Sequence, residues 1–341
     1  RASTSPQLAP EPLFEAIDET GGDLGPIDLL VWKSVVIPQL REALLETRAA
    51  LVPLLERQPD WGPGRVDTFN PYKALEFGMD AKELSEAEVV GASDFPSIWL
   101  QAPREGMDLH WDGNNPSLAE RNLSAALGAG VTPDTVDHKG VQRVARWLQD
   151  LPPPPSPNSP DSEAVARGAE IYAQECLACH GRQSDEGYIF EGAYLGKVEP
   201  LEVVGTDPAR LDSYTQEFRD LQIKKLFAGT PYAFRHFRKT DGYANMPLDG
   251  LWLRGPYLHN GSVPTLADLL EPASARPVSF LRDSDVIDWV RGGFVSPPCP
   301  DNTAEFCFDT RKHGNGNSGH EYGTGLEETA KADLLSYLLT F

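Results

Sequence analysis

Apolar residues recur at helical spacing over long parts of this chain, and no long window shows the strict alternation of a half-buried strand. The pattern predicts a helix from Ile27 to Glu56, interrupted near Pro38, with Leu40, Leu44, Leu45, Leu51, Leu54 and Leu55 on its apolar face. Residues 82–89, 117–127 and 139–150 also read as helices, and Ser117 with Glu120 has the spacing of a capping box. The stretches "PDWGPGRVDTFNPYK" and "SDFPSIWLQAPREGMDLHWDGNN" lie between them and read as aromatic loops, while "RASTSPQLAP" reads as an extended or disordered start. Residues 151–160, "LPPPPSPNSP", are unable to form helix and favour a stiff polyproline segment. Helical spacing resumes at residue 161, and the chain closes on "LEETAKADLLSYLLTF", with Leu334, Leu335, Leu338 and Phe341 on one side. Gly168 and Tyr172, four apart, offer a crossing point against Tyr337; ordinary helix packing is the alternative.

The expected fold is mainly α with long loops. It comprises a helical, loop-rich region over 1–150, the linker 151–160 and a C-terminal domain over 161–341. The 341 residues suffice for two domains. No run of about 18 apolar residues is present. The nearest candidate, "IDLLVWKSVVIPQLREALL", is broken by Lys33, Gln39 and Arg41. With no starting Met and no signal peptide, the sequence reads as a processed or truncated chain. A formal charge of −21 argues against nucleic acid and against an anionic membrane surface. It favours a basic partner, although acidic surfaces also serve simply as solvated faces.

Chemistry concentrates in "AQECLACHG". Cys176, Cys179 and His180 have the spacing C-x-x-C-H, which sets two thiols one turn apart for thioether bonds to haem vinyl groups and leaves the adjacent His for the iron. A thioredoxin motif would need a strand-to-helix junction in a βαβ unit, and structural zinc would need a second ligand pair; neither is visible. The expected cofactor is one covalent haem c, which implies an extracytoplasmic, in bacteria periplasmic, location. There Cys299 and Cys307 are expected to form a disulfide, two free buried thiols being the alternative. The sixth iron position decides between an electron relay and an open, reactive haem. Met246, His236, His259, His313 and His320 are the candidates, His320 favoured by its glycine-rich surroundings and His259 read as a structural hydrogen-bonding residue. Trp252 and Arg254 are candidate haem contacts, and Arg235, Arg238 and Arg254 are candidate propionate partners or plain surface ion pairs.

The stretch "PLDGLWLRGPYLHNGSVPTLADLL", followed by "GHEYG" and a final helix, resembles the bacterial di-haem cytochrome c peroxidase superfamily, and within it the rubber-oxygenase-type c cytochromes. "LHWDGNNPSLAERN" is similar to the Trp-Asp-Gly turn of that superfamily's first haem domain, so the likeness runs from about Trp61 to Phe341. It implies His180 and His320 as axial ligands and His259 as a structural residue, while Met246 stays the alternative to His320 from the residues themselves. It also implies Trp111 as an aromatic between two haems, for which a buried interface Trp is the alternative reading, and a possible calcium ion between domains. Two departures stand out. The chain lacks an earlier CxxCH, and Val131 and Thr132 stand where the peroxidases carry an acidic catalytic residue. Three functions follow as expectations: an electron-transfer subunit or fragment of a larger redox assembly, a peroxide- or dioxygen-using oxidoreductase, or an acidic docking subunit. The partner is a redox protein, either a basic cytochrome or a second haem-bearing chain.

Overall fold

A computed structural model describes residues 5–22 and 24–341. The start of the expected extended N-terminus, residues 1–4, lies outside them. Helices α1 (Pro10–Glu19), α2 (Pro26–Val31) and α3 (Ile37–Leu55) come first, with a π-type turn over Trp32–Val36 joining the last two. Helix α1, which the polar start concealed, opens on Pro10 at a first-turn position where the missing N–H costs nothing. The chain does not break at Pro38. That residue sits in the first turn of α3, and the ladder absorbs its missing donor by widening just before it. The expected apolar face is only partly used: Leu54 is fully buried, whereas Leu40, Leu45 and Leu55 are exposed.

Next come α4 (Asn70–Phe77), α5 (Leu118–Gly128) and α6 (His138–Gln149). Residues 82–89 are not a helix but two successive turns. Ser85 and Glu88 hydrogen-bond each other's backbone and side chains, and Arg57 holds the carbonyls of Ala81 and Leu84 at 2.8 and 2.7 Å, so local side-chain bonds replace a helical ladder. Ser117 does cap α5, accepting from Glu120 N at 3.4 Å. The reciprocal half of the capping box is absent. Ser117 N donates to Asn115 instead, and the Glu120 carboxylate takes Asn115, His236 and the amide of Arg235.

Segment 151–160 is extended but strapped to the body: Leu100 N reaches Leu151 O at 2.8 Å and Ser156 Oγ reaches Leu339 O at 2.6 Å. Beyond it lie α7 (Ser162–Glu175), α8 (Leu177–His180), α9 (Leu201–Val204), α10 (Ala209–Ser213), α11 (Gln216–Lys225), α12 (Leu266–Leu269) and α13 (Glu328–Leu338). Among the described residues four short antiparallel two-stranded ladders join the loops, pairing Arg65–Val66 with Ser93–Asp94, Arg182–Ser184 with Gly187–Ile189, Val198–Pro200 with Gly242–Ala244, and Ser279–Leu281 with Cys307–Asp309. Cys299 and Cys307 are bonded to each other, their Cα atoms 5.8 Å apart.

Helices α7 and α13 cross at Gly168, where an added Cβ would lie 2.0 Å from Asp333 O. Only glycine lets the backbones approach so closely. Tyr172 and Tyr337 close the crossing edge to face, 5.2 Å apart, and the surrounding core gathers Leu251, Tyr257, Val263, Leu266, Leu334 and Phe341. A second core joins Phe69, Leu123 and Leu127 to Tyr214, Phe218, Leu226, Phe234 and Phe237, so packing continues across the linker. Among the described residues no helix is long and apolar enough to cross a membrane.

Candidate haem site

Helix α7 delivers the CxxCH segment. Its last turn ends at Cys176, and the short helix α8 hangs from that carbonyl, which accepts from Cys179 N and His180 N, both at 3.1 Å. Tyr172 Oη donates to Gly181 O at 2.7 Å, and the Tyr188 hydroxyl donates to His180 O, so a buried phenol and a partly buried one brace the turn from the core side. Burial pushes the Cys176 thiol up to about 12, with Glu175 and Cys179 adding to it. Burial, with Glu199, also raises Cys179. Such thiols are held protonated rather than as metal-binding thiolates. Among the described residues, no group of three or more His, Cys, Asp or Glu side chains is placed to hold a metal ion, as structural zinc requires.

His180 is oriented by Met246. Its Nδ1 lies 2.7 Å from the Met246 carbonyl, an acceptor, so that nitrogen carries the proton and Nε2 keeps its lone pair. The same contact sets the Met246 backbone behind His180, on the side away from any group that its Nε2 would bind. Facing His180 is His320, ring centres 6.0 Å apart. Metal–imidazole bonds of about 2 Å on both sides of one ion leave ring centres roughly 6 Å apart, so the pair is spaced to hold an iron between them. Burial, then His180, pushes the His320 imidazole down to about 3, which keeps it neutral and ligand-competent.

The loop that presents His320 is built for this position. His320 adopts a left-handed φ of 49°, its amide donates to Val204 O at 2.7 Å, and its buried Nδ1 has no hydrogen-bond partner. Gly319 precedes it because a Cβ there would meet Gly205 and Thr206 backbone atoms within 2.4 Å. Buried Arg276 pins the loop from behind, donating to the carbonyls of Asn317, Gly319 and His320, and to Leu269 as well.

Between the two imidazoles opens a cavity of about 480 Å³ lined by Cys176, Cys179, His180, Met246, Arg254 and His320, with Trp111 and the loop Asp94 to Trp99 supplied by the first half of the chain. Arg254 is a cation without a carboxylate partner among the described residues; it donates to Pro247 O at 2.6 Å, and burial lowers its pKa. A predominantly apolar chamber with two thiols on one edge, opposed imidazoles and one unpaired guanidinium fits a covalent haem with an acidic propionate.

The other sequence candidates lie elsewhere or act differently. Trp252 does not line the cavity: its indole donates to Pro154 O at 3.0 Å and stacks on Trp289, clamping the linker. His236 pairs with Glu120 at 2.7 Å, and His313 is exposed and likewise away from the cavity wall. Arg235 and Arg238 are also outside it, Arg238 pairing with Asp108. His259 lines the cavity as a stacked partner of Tyr243, ring centres 4.1 Å apart, and its carbonyl accepts from Asp94 N at 2.9 Å. Trp111 donates its indole N–H to Asp94 O at 2.6 Å and stands in the wall contributed by the first half. Arg276, Tyr188 and the Asp94–Trp99 wall carry no sequence signal that singles them out, since each acts through backbone carbonyls or shape.

Residues 242–281 match the model of the RoxA-like, cytochrome c-like family. Among curated relatives, the uncharacterized protein y4iM of Sinorhizobium fredii (strain NBRC 101917 / NGR234) is 30% identical over 250 residues, covering 67% of this chain and 57% of the relative. The uncharacterized protein y4iJ of the same organism is 27% identical over 371 residues, covering 84% of this chain and 61% of its own length. The chain thus spans about six-tenths of the length of these relatives. Cytochrome c550 of Pseudomonas aeruginosa is 39% identical over 74 residues, 21% of this chain and 51% of that protein. The matched segment contains Met246, whose carbonyl holds His180, together with Arg254 and His259, so over these residues the chain is similar to RoxA-like, cytochrome c-like proteins.

Proposed function

We propose that this chain is an extracytoplasmic c-type cytochrome carrying one covalent haem c and acting as an electron relay within a larger redox assembly. The observation that carries the reading is the opposed pair His180 and His320, 6.0 Å between ring centres across a cavity edged by Cys176 and Cys179. The haem supplies a one-electron iron couple when bound. The two cysteines would anchor it by thioethers, and His180 and His320 would hold its iron. Met246 serves through its carbonyl, fixing the His180 tautomer, so it is not the sixth ligand in this reading. Arg254 compensates propionate charge. Two imidazoles held by rigid neighbours keep the ligand set constant between oxidation states, which suits a relay better than turnover of a bound oxidant.

The Cys299–Cys307 bond is consistent with an oxidising compartment. The net charge of −21 supports a basic redox partner, whose binding weakens as salt shortens the Debye length. The direct test is a haem assay on chain matured in cells that attach haem c. One denaturation-resistant haem per chain, lost in the double variant Cys176→Ser, Cys179→Ser, supports the proposal. Haem-free protein, or haem that denaturant releases, overturns it.

A further inference from the structure

The hydrogen bond that orients His180 belongs to a closed circuit of contacts. His180 Nδ1 donates to Met246 O at 2.7 Å. Two residues further on, Leu248 N donates to the Tyr188 hydroxyl at 2.7 Å, and that hydroxyl donates in turn to the carbonyl of His180 itself. Tyr188 lies in the strand Gly187–Ile189, so one phenol ties the CxxCH turn to a segment 60 residues beyond it. The rest of that segment is anchored separately: Asn245 N reaches Lys197 O at 2.9 Å, and Arg254 donates to Pro247 O at 2.6 Å. Across the cavity the other imidazole has no such support, since His320 Nδ1 is buried without a hydrogen-bond partner. Hydrogen bonding to an axial imidazole therefore acts from the His180 side alone.

A hydrogen bond donated from Nδ1 makes an imidazole a stronger base toward a metal on Nε2, which favours ferric over ferrous iron. Its strength depends on how closely the Met246 carbonyl is held to the imidazole. We propose that Tyr188 is a positioning residue that sets the reduction potential of the haem iron, by holding the Met246–Leu248 backbone against His180. Phenylalanine keeps the aromatic packing and can neither donate nor accept, so Tyr188→Phe opens the circuit at this one point. The inference rests on the reading of His180 as an iron ligand.

Spectroelectrochemical titration of the haem-loaded protein and its variants tests it. Tyr188→Phe should move the ferric–ferrous equilibrium about tenfold toward the ferrous state, a rise of about 59 mV for one electron. Tyr337→Phe is the control. The Tyr337 hydroxyl donates at 3.0 Å to the carbonyl of Gln183, the cross-strand partner of Tyr188, so its loss loosens the same hairpin and leaves the circuit closed. In that variant the urea midpoint should fall and the potential stay. A measurement on the unmodified protein guards against a folding failure: in the NMR spectrum of the diamagnetic ferrous form, the His180 Nδ1 proton should lie downfield of the His320 Nδ1 proton. An unchanged or lowered potential in Tyr188→Phe, an equal rise in Tyr337→Phe, or coincident Nδ1 proton shifts in the unmodified protein overturns the proposal. Because each reading is taken on protein that already carries haem, those results leave the haem assignment standing, whereas a chain that attaches no haem overturns both.

Discussion

Replacing Gly168 by Ala perturbs the close approach of the two helices on which the haem segment hangs. The added Cβ would stand 2.0 Å from Asp333 O and 2.9 Å from Tyr337 Cβ, the first a backbone atom that moves only with α13 itself. Two effects oppose each other. Alanine within a helix gains about 1 kcal/mol over glycine. Overpacking a fitted core costs roughly 1–3 kcal/mol and more where backbone must shift, and a contact of this depth belongs at the top of that range. The net expectation for Gly168→Ala is destabilisation by about 2 kcal/mol. Gly325→Ala is the control, since nothing lies within 4 Å of the point where its Cβ would stand and its φ is not left-handed. It should be neutral or stabilising by about 0.5 kcal/mol. Urea unfolding of the holoprotein reads both, with a lower midpoint at unchanged slope expected for Gly168→Ala. A Gly168→Ala protein as stable as Gly325→Ala would refute the claim that this crossing requires glycine.

Arg276→Met should loosen the loop that presents His320, costing about 2–4 kcal/mol through the unpaired carbonyls it leaves, with a high-spin component appearing in the ferric spectrum; a fully low-spin spectrum of unchanged stability would count against its role. Arg254→Gln removes a cation from the cavity wall and should lower the haem reduction potential by tens of millivolts, roughly, in a spectroelectrochemical titration; a rise in potential contradicts the assignment. Opening the Cys299–Cys307 bond by the double serine substitution should cost about 2.5 kcal/mol in urea unfolding, the chain-entropy value for so short a loop. Unchanged stability, or two titratable thiols in the unmodified protein, argues that the pair is not oxidised in solution.

Much of the helical content was legible because its signals are local. Asp161 accepts from Ala164 N to start α7, Ser117 caps α5, and Asp137 caps α6 just before the predicted start. The turns at 82–89 misled for a complementary reason: helical composition there is overridden by side-chain bonds from Arg57, which comes from a distant segment. In the site, Cys176, Cys179 and His180 are visible from spacing, and the glycines around His320 from composition. Met246 attracted notice as a thioether, yet the structure uses its carbonyl, a contribution that any residue type can make and that no side-chain pattern reveals. Trp252 read as a cofactor contact, but its indole donates to Pro154 O in the linker and lies outside the cavity wall. The wall from Asp94 to Trp99 and the Arg276 staple depend on tertiary placement alone.

The axial pair is tested most directly by the absorption spectrum of the dithionite-reduced holoprotein before and after carbon monoxide. With His180 and His320 both on the iron, the low-spin reduced spectrum is unchanged by the gas, and His320→Ala acquires a shifted Soret band. A shifted Soret band in the unmodified protein contradicts the relay reading and points instead to an open, oxidant-binding haem.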